Sequence, residues 1–74
     1  HRNSFKHKRI YLIMENKRAK FLHIYADILE ELRNDIVAVV EGKTYTWNIA
    51  YREIKNNTLL GRKILKTLID TKII

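Results

Sequence analysis

The sequence predicts a small single-domain α+β fold: a β-hairpin packed by an amphipathic helix and a C-terminal helical pair. Three observations carry this reading. Residues 36–47 read Ile-Val-Ala-Val-Val-Glu-Gly-Lys-Thr-Tyr-Thr-Trp, two β-favouring runs around a two-residue turn. Residues 17–34 place Phe21, Leu22, Tyr25, Ile28, Leu29 and Leu32 on one face of a 3.6-residue period. After Trp47, two helical patterns flank the capping-rich break Asn56-Asn57-Thr58. The 74 residues make one domain. A chain of this size buries only about 60% of its unfolded surface, so its stability margin is thin. It has no cysteine, so neither disulfides nor thiolate metal sites support it.

Taken in order, residues 1–9 read as a basic arm, and residues 10–74 as the folded domain. The arm lacks apolar periodicity, so it reads as mobile unless bound. Residues 10–14 (Ile-Tyr-Leu-Ile-Met) form a continuous apolar run. Its length favours a buried strand, although the first turn of a long helix fits the same five residues. The first clear helix covers residues 17–34 with Asn16 as its N-cap. Its charges oppose the helix dipole: Lys17, Arg18 and Lys20 stand at the start, and Glu30 and Glu31 near the end.

In the hairpin, a Glu41-Gly42 turn sets Val40 opposite Lys43, Ala38 opposite Tyr45 and Ile36 opposite Trp47. Ile36, Ala38, Tyr45 and Trp47 then share an apolar face that the helices should cover. Asn48 is the expected cap of a helix over residues 49–55. A last helix runs over Leu59–Asp70, with Leu60, Ile64, Leu65, Leu68 and Ile69 inward and Arg62, Lys63 and Lys66 outward. The apolar Ile73-Ile74 pair is expected to pack or to add a short edge strand.

The net charge of +7 is unevenly spread. Residues 1–20 carry +6, residues 21–41 carry −4 and residues 42–74 carry +5. Two basic ends bracket an acidic middle. Concentrated positive charge attracts polyanions, and phosphate backbones reward it through counterion release. One phosphate-contacting region is expected from Lys6, Lys8, Arg9, Lys17, Arg18 and Lys20. A second is expected from Arg52, Lys55, Arg62, Lys63 and Lys66. Aromatic side chains beside basic residues add stacking platforms for exposed bases, and Tyr11 and Tyr51 have that setting.

The order Tyr51-x-Glu53-Ile54, Thr58-x-Leu60, Ile64, Leu68-Ile69, Ile73-Ile74 resembles the second half of a winged-helix module. That resemblance implies a helix-turn-helix with Leu59–Asp70 in the major groove and Arg62, Lys63 and Lys66 at phosphates or base edges. The second helix reads about one turn short of the pattern. Gly61 stands inside the third helix rather than in the turn. The alternative is two core helices with a solvated basic face.

Val39-Val40-Glu41-Gly42-Lys43 resembles the Val-Glu-Gly-Lys start of a Toprim domain, and Asn56–Arg62 has the spacing of that family's later acidic motif. The resemblance implies general acid/base work for Glu41. However, Asn56, Thr58 and Tyr45 stand where the family has aspartates, and Asn and Thr do not hold Mg²⁺ as carboxylates do. The hairpin turn is therefore the preferred reading. Asp35 with Glu41-Gly42-Lys43 resembles the Asp…Glu-x-Lys nuclease set, but the two carboxylates bound one strand and lie about 20 Å apart, too far to share a metal ion. His23 and Asp27 are four apart on one helix face without a third ligand, which favours a surface hydrogen bond.

The expected function is a non-enzymatic, small basic nucleic-acid-binding protein, for DNA or RNA, with no catalytic residues, metal or cofactor. The alternative is a protein-interaction module, either a homodimer or a small subunit of a larger assembly. No apolar run approaches the ~20 residues of a membrane helix. The default expectation is a cytoplasmic protein without a membrane partner.

Overall fold

The computed structural model describes the backbone of residues 2–74 and the side chains of residues 12–74. Helix α1 spans Arg2–Asp27 without interruption. Of the two readings of residues 10–14, the long helix forms rather than the buried strand, and the expected cap Asn16 is corrected, since it lies mid-helix. The backbone of residues 2–9 continues the same helix. The whole stretch lacks glycine and proline, and Leu12 and Met14 are good helix formers. With no breaker before them, residues 10–14 join the helix that follows.

The far end of α1 is also corrected. The helix stops at Asp27, seven residues before the expected Asn34. Leu29 is extended (φ −57°, ψ 139°), and a separate 3₁₀ turn covers Glu30–Asn34. Leu29 and Leu32 consequently face solvent rather than the core. This break resolves the charge misfit. Lys17, Arg18 and Lys20 lie far from the N-terminus of α1, while Glu30 and Glu31 open the new turn and Arg33 closes it, as a helix dipole favours.

Strands β1 (Ile36–Val40) and β2 (Lys43–Thr46) pair antiparallel. Glu41 (φ 52°) and Gly42 (φ 80°) are both left-handed, the geometry of a tight hairpin turn whose twist matches the strands. The expected pairs Val40–Lys43 and Ala38–Tyr45 form. The third does not, because a bulge between Ile36 and Ala38 sets Ile36 opposite Thr46. Val37 and Ala38 are both buried, and Ile36 points outward at 58% exposure. The inward face is therefore Val37, Ala38 and Val40 rather than one containing Ile36.

Trp47 leaves the ribbon to begin helix α2 (Trp47–Lys55) and stacks on Phe21 of α1 at 5.7 Å. Thr46 caps α2, accepting a hydrogen bond from the Ile49 backbone N–H through its hydroxyl. The expected cap, Asn48, already lies inside the first turn. Its amide accepts from the Tyr25 hydroxyl (2.7 Å) and donates to Asn34 (3.0 Å). Helix α3 (Leu59–Asp70) has the expected bounds, and Thr58 caps it through the Gly61 N–H.

Helices α2 and α3 pack against each other, and α3 also covers β1. Phe21, Ile54, Ile64 and Leu68 are the fully buried side chains at the centre. From Met14 onward α1 lies against this core. After a left-handed Lys72, Ile74 turns back into the core while Ile73 remains exposed.

Gly61 sets the closeness of α2 and α3. A Cβ there would fall 2.2 Å from the Glu53 carbonyl oxygen and 2.9 Å from the Ile54 nitrogen, both rigid backbone. In an open helix, Gly to Ala gains about 1 kcal/mol. Here overpacking, at about 1–3 kcal/mol, opposes that gain. Gly61→Ala is expected to lower the urea midpoint of unfolding. A raised midpoint would show that the two helices separate without cost.

Candidate nucleic-acid interface

The solvent side of α3 carries Leu59, Arg62, Lys63 and Lys66, all exposed. Its other side buries Gly61, Ile64, Leu65 and Leu68. The division follows from helical period: residues 61, 64, 65 and 68 fall on one stripe, and 59, 62, 63 and 66 on the opposite one. Arg62 donates to the Asn57 side chain at 3.4 Å. Lys63 donates to Glu41 in the hairpin turn at 2.8 Å. That hydrogen bond, followed by the charge of Lys63, holds the Glu41 carboxyl below its ordinary range. Both partners are exposed, so salt screens the pair and leaves Lys63 available to a stronger anion. Lys66 carries no ion pair among the described residues.

The α1 cations divide differently. Lys17 donates to the backbone oxygen of Ile74 at 3.1 Å. Arg18 donates to the carbonyls of Ile54 (2.9 Å) and Lys55 (2.8 Å), and also lies 3.7 Å from Glu15. Those carbonyls end α2, where a cation complements the dipole. Lys17 and Arg18 thus hold the fold together, whereas Lys20 is exposed. The side chains of Lys6, Lys8, Arg9 and Tyr11 lie outside the described residues.

Arg18 brings the two expected regions into contact. Around the end of α2 stand Arg18, Arg52 and Lys55, with Arg62 reaching the following turn. Arg52 bonds the neighbouring Glu53 at 3.0 Å, and Glu53 also accepts from the Thr58 hydroxyl at 2.7 Å. The Thr58 bond, then Arg52, lowers the Glu53 pKa. Glu53 therefore serves the α2–α3 turn. Glu41 sits in the hairpin turn, with Asp35 at the opposite end of β1, as the strand-length argument requires. His23 and Asp27 are exposed, and no group of three His, Cys, Asp or Glu side chains able to hold a metal occurs among the described residues.

One face of Tyr51 is taken. It stacks on Tyr25 at 4.1 Å with the rings 12° from parallel. Lys55 lies over the Tyr51 ring at 5.5 Å, and the Arg33 guanidinium over the Tyr25 ring at 4.4 Å. Arg33 also donates to the Tyr25 carbonyl at 3.2 Å, near the end of α1. Sequence periodicity places Tyr25 on the apolar face and says nothing of Arg33. One local signal exists: Arg33 is the only Lys or Arg among residues 21–41. Beside these rings runs an open groove of about 360 Å³, lined by Leu22, Tyr25, Ala26, Arg33, Tyr51 and Lys55.

No family model matches the chain, and no match is found among curated proteins or solved structures. The case for function therefore rests on the geometry of these groups.

Two predictions test the division of labour. Hydrogen bonds from a charged group contribute about 1.5–3 kcal/mol, so Arg18→Gln should lower the thermal midpoint clearly. Lys20→Gln should change stability by less than ~0.5 kcal/mol. Equal effects would mean that Arg18 does not brace α2. The second prediction concerns pH. Because the folded-state pKa of Glu53 is lowered from its ordinary 4.5, the unfolded chain binds the proton more tightly. Its stabilisation is present above pH 4.5 and is lost as pH falls through the folded value. Glu53→Gln should flatten that part of the acid-unfolding profile measured by circular dichroism. An unchanged profile would remove Glu53 from the account.

Proposed function

We propose that this is a non-enzymatic nucleic-acid-binding domain whose α3 meets the phosphate backbone through Arg62, Lys63 and Lys66. Arg52 and Lys55 extend the contact from the adjoining end of α2. The observation that carries the reading is the two-sidedness of α3. One side is locked into the core, and the other presents three cations on a rigid rod. Preorganised cations bind polyanions at a smaller entropic cost than mobile ones. The helical pair joined by Asn56-Asn57-Thr58 also has the spacing of a helix-turn-helix. Unlike the winged-helix arrangement resembled by the sequence, the hairpin here precedes the pair. Base readout by a wing following α3 is therefore not part of the proposal. Lys17 and Arg18 are left out of the contact set because their donors serve internal carbonyls.

A second reading has its own support. Leu12 and Ile13 stand side by side on α1 at 60% and 49% exposure. Adjacent exposed apolar side chains on a helix suit a protein partner, including a second copy of the chain. A salt-stable oligomer with no nucleic-acid affinity, seen by sedimentation, would favour this reading.

The deciding measurement is affinity for duplex DNA and duplex RNA at two salt concentrations. Binding should weaken steeply with salt, and removal of each phosphate contact should reduce the logarithmic slope by roughly 1. Arg62→Gln with Lys66→Gln is thus expected to lower the slope by about 2 while preserving the fold. Absent or salt-independent binding ends the proposal.

A further inference from the structure

We propose that the groove beside Tyr25 and Tyr51 receives a single unpaired nucleotide, its base stacked on the outer face of Tyr51 and its phosphate held by Lys55. This deepens the nucleic-acid reading and rests on it for the polymer source of the nucleotide. The shared chemistry is a planar base joined to a phosphate.

Four observations converge on that ligand. The groove, about 360 Å³, lies within the range of small-molecule sites, ~300–1,000 Å³. Its lining contains two cations, Arg33 and Lys55, and no carboxylate, so it selects an anion. Two parallel tyrosine rings form its aromatic part, so it also selects a flat partner. Finally, Lys55 is exposed and forms no ion pair among the described residues, so its ammonium is free to meet a phosphate.

The occupancy of the rings decides where a base enters. One face of Tyr51 is covered by Tyr25, and the hydroxyl of Tyr25 is tied to Asn48, so this side is fixed. With Tyr25 filling that face at 4.1 Å, the Lys55 ammonium 5.5 Å from the ring centre lies over the other, and its side chain is exposed. An exposed cation over a ring is held more weakly than a stacked base. A base can therefore displace the ammonium, which remains tethered beside the ring and in reach of the attached phosphate. At the opposite end, Arg33 covers the outer face of Tyr25 and is held there by the Tyr25 carbonyl. That end is closed to stacking. Arg33 instead supplies charge for a neighbouring phosphate of the same strand. A base-paired nucleotide cannot reach the Tyr51 face without leaving its stack, so the groove discriminates single strands from duplex.

The test is a nuclear magnetic resonance titration of the full chain with uridine 5′-monophosphate, uridine, inorganic phosphate and O-phosphotyrosine in separate arms. Uridine 5′-monophosphate is expected to move the Ala26, Tyr51 and Lys55 signals together, with uridine or phosphate alone moving them far less. Tyr51→Phe keeps the ring and should bind as the parent does. Tyr51→Leu keeps an apolar side chain and should weaken binding about tenfold. The proposal is overturned if phosphate alone reproduces the shifts, if O-phosphotyrosine binds better than the nucleotide, or if a folded Tyr51→Leu binds unchanged. A hexathymidylate strand should move the same signals at lower concentration. Failure of that arm alone overturns the strand as source. Failure of the α3 proposal looks different: duplex binding is absent while the nucleotide shifts persist.

Discussion

The backbone contact between α2 and α3 at Gly61 is the constraint on which the rest of the molecule depends. With hydrogen at that Cα, the start of α3 closes on the Glu53 carbonyl, and Thr58 bonds the Glu53 side chain as it caps the helix. Once α3 is seated there, helical period directs Ile64, Leu65 and Leu68 onto α2 and β1. The same rotation turns Arg62, Lys63 and Lys66 into solvent. The basic stripe is thus a geometric consequence of the core contact. A rotation of α3 by one residue, about 100°, would swing the cations toward the hairpin and break both faces.

How far this arrangement was legible depends on the range of the deciding interaction. Helix α3 was readable, because its cap, its apolar stripe and its polar face all lie within the consecutive residues 58–70. The hairpin was readable near its turn, where Glu41-Gly42 imposes local pairing, and failed four residues away at the bulge. An apolar run such as Ile-Val-Ala-Val-Val offers several inward positions, and the choice among them accompanies long-range packing such as the stacking of Trp47 on Phe21. Helix α1 was cut at the wrong ends for a similar reason. Its first half has no breaker, and its break at Leu29 involves neither glycine nor proline. The reversed charges at 17–20 and 30–31 were the one local sign that these residues do not share a helix.

The site divides along the same line. The cations of α3 could be placed outward from period alone. The roles of Lys17 and Arg18 could not, because their acceptors lie 57 and 36 residues away. Their charge looks identical in sequence to that of Lys20, yet their donors brace the far end of the molecule. Ion pairing removes little of the remainder. The described residues form three salt bridges, Arg18–Glu15, Arg52–Glu53 and Lys63–Glu41, and only in the last are both side chains exposed. Most of the positive charge on the described residues therefore survives folding, while Glu30 and Glu31 are set apart at the 3₁₀ turn.

Arg33 is the residue where structural and binding roles separate most sharply. Bracing α1 needs only one donor on the Tyr25 carbonyl, and covering the Tyr25 ring needs only a flat cation. Neither explains a buried Nε without a partner, which costs about 1–3 kcal/mol when left unsatisfied. A lysine would avoid that penalty and still supply charge, but it lacks the planar fork that stacks and donates at once. That planarity accounts for an arginine rather than a lysine over the Tyr25 ring. The same side chain also lines the groove beside Tyr51 and Lys55, so one residue braces α1 and charges the groove.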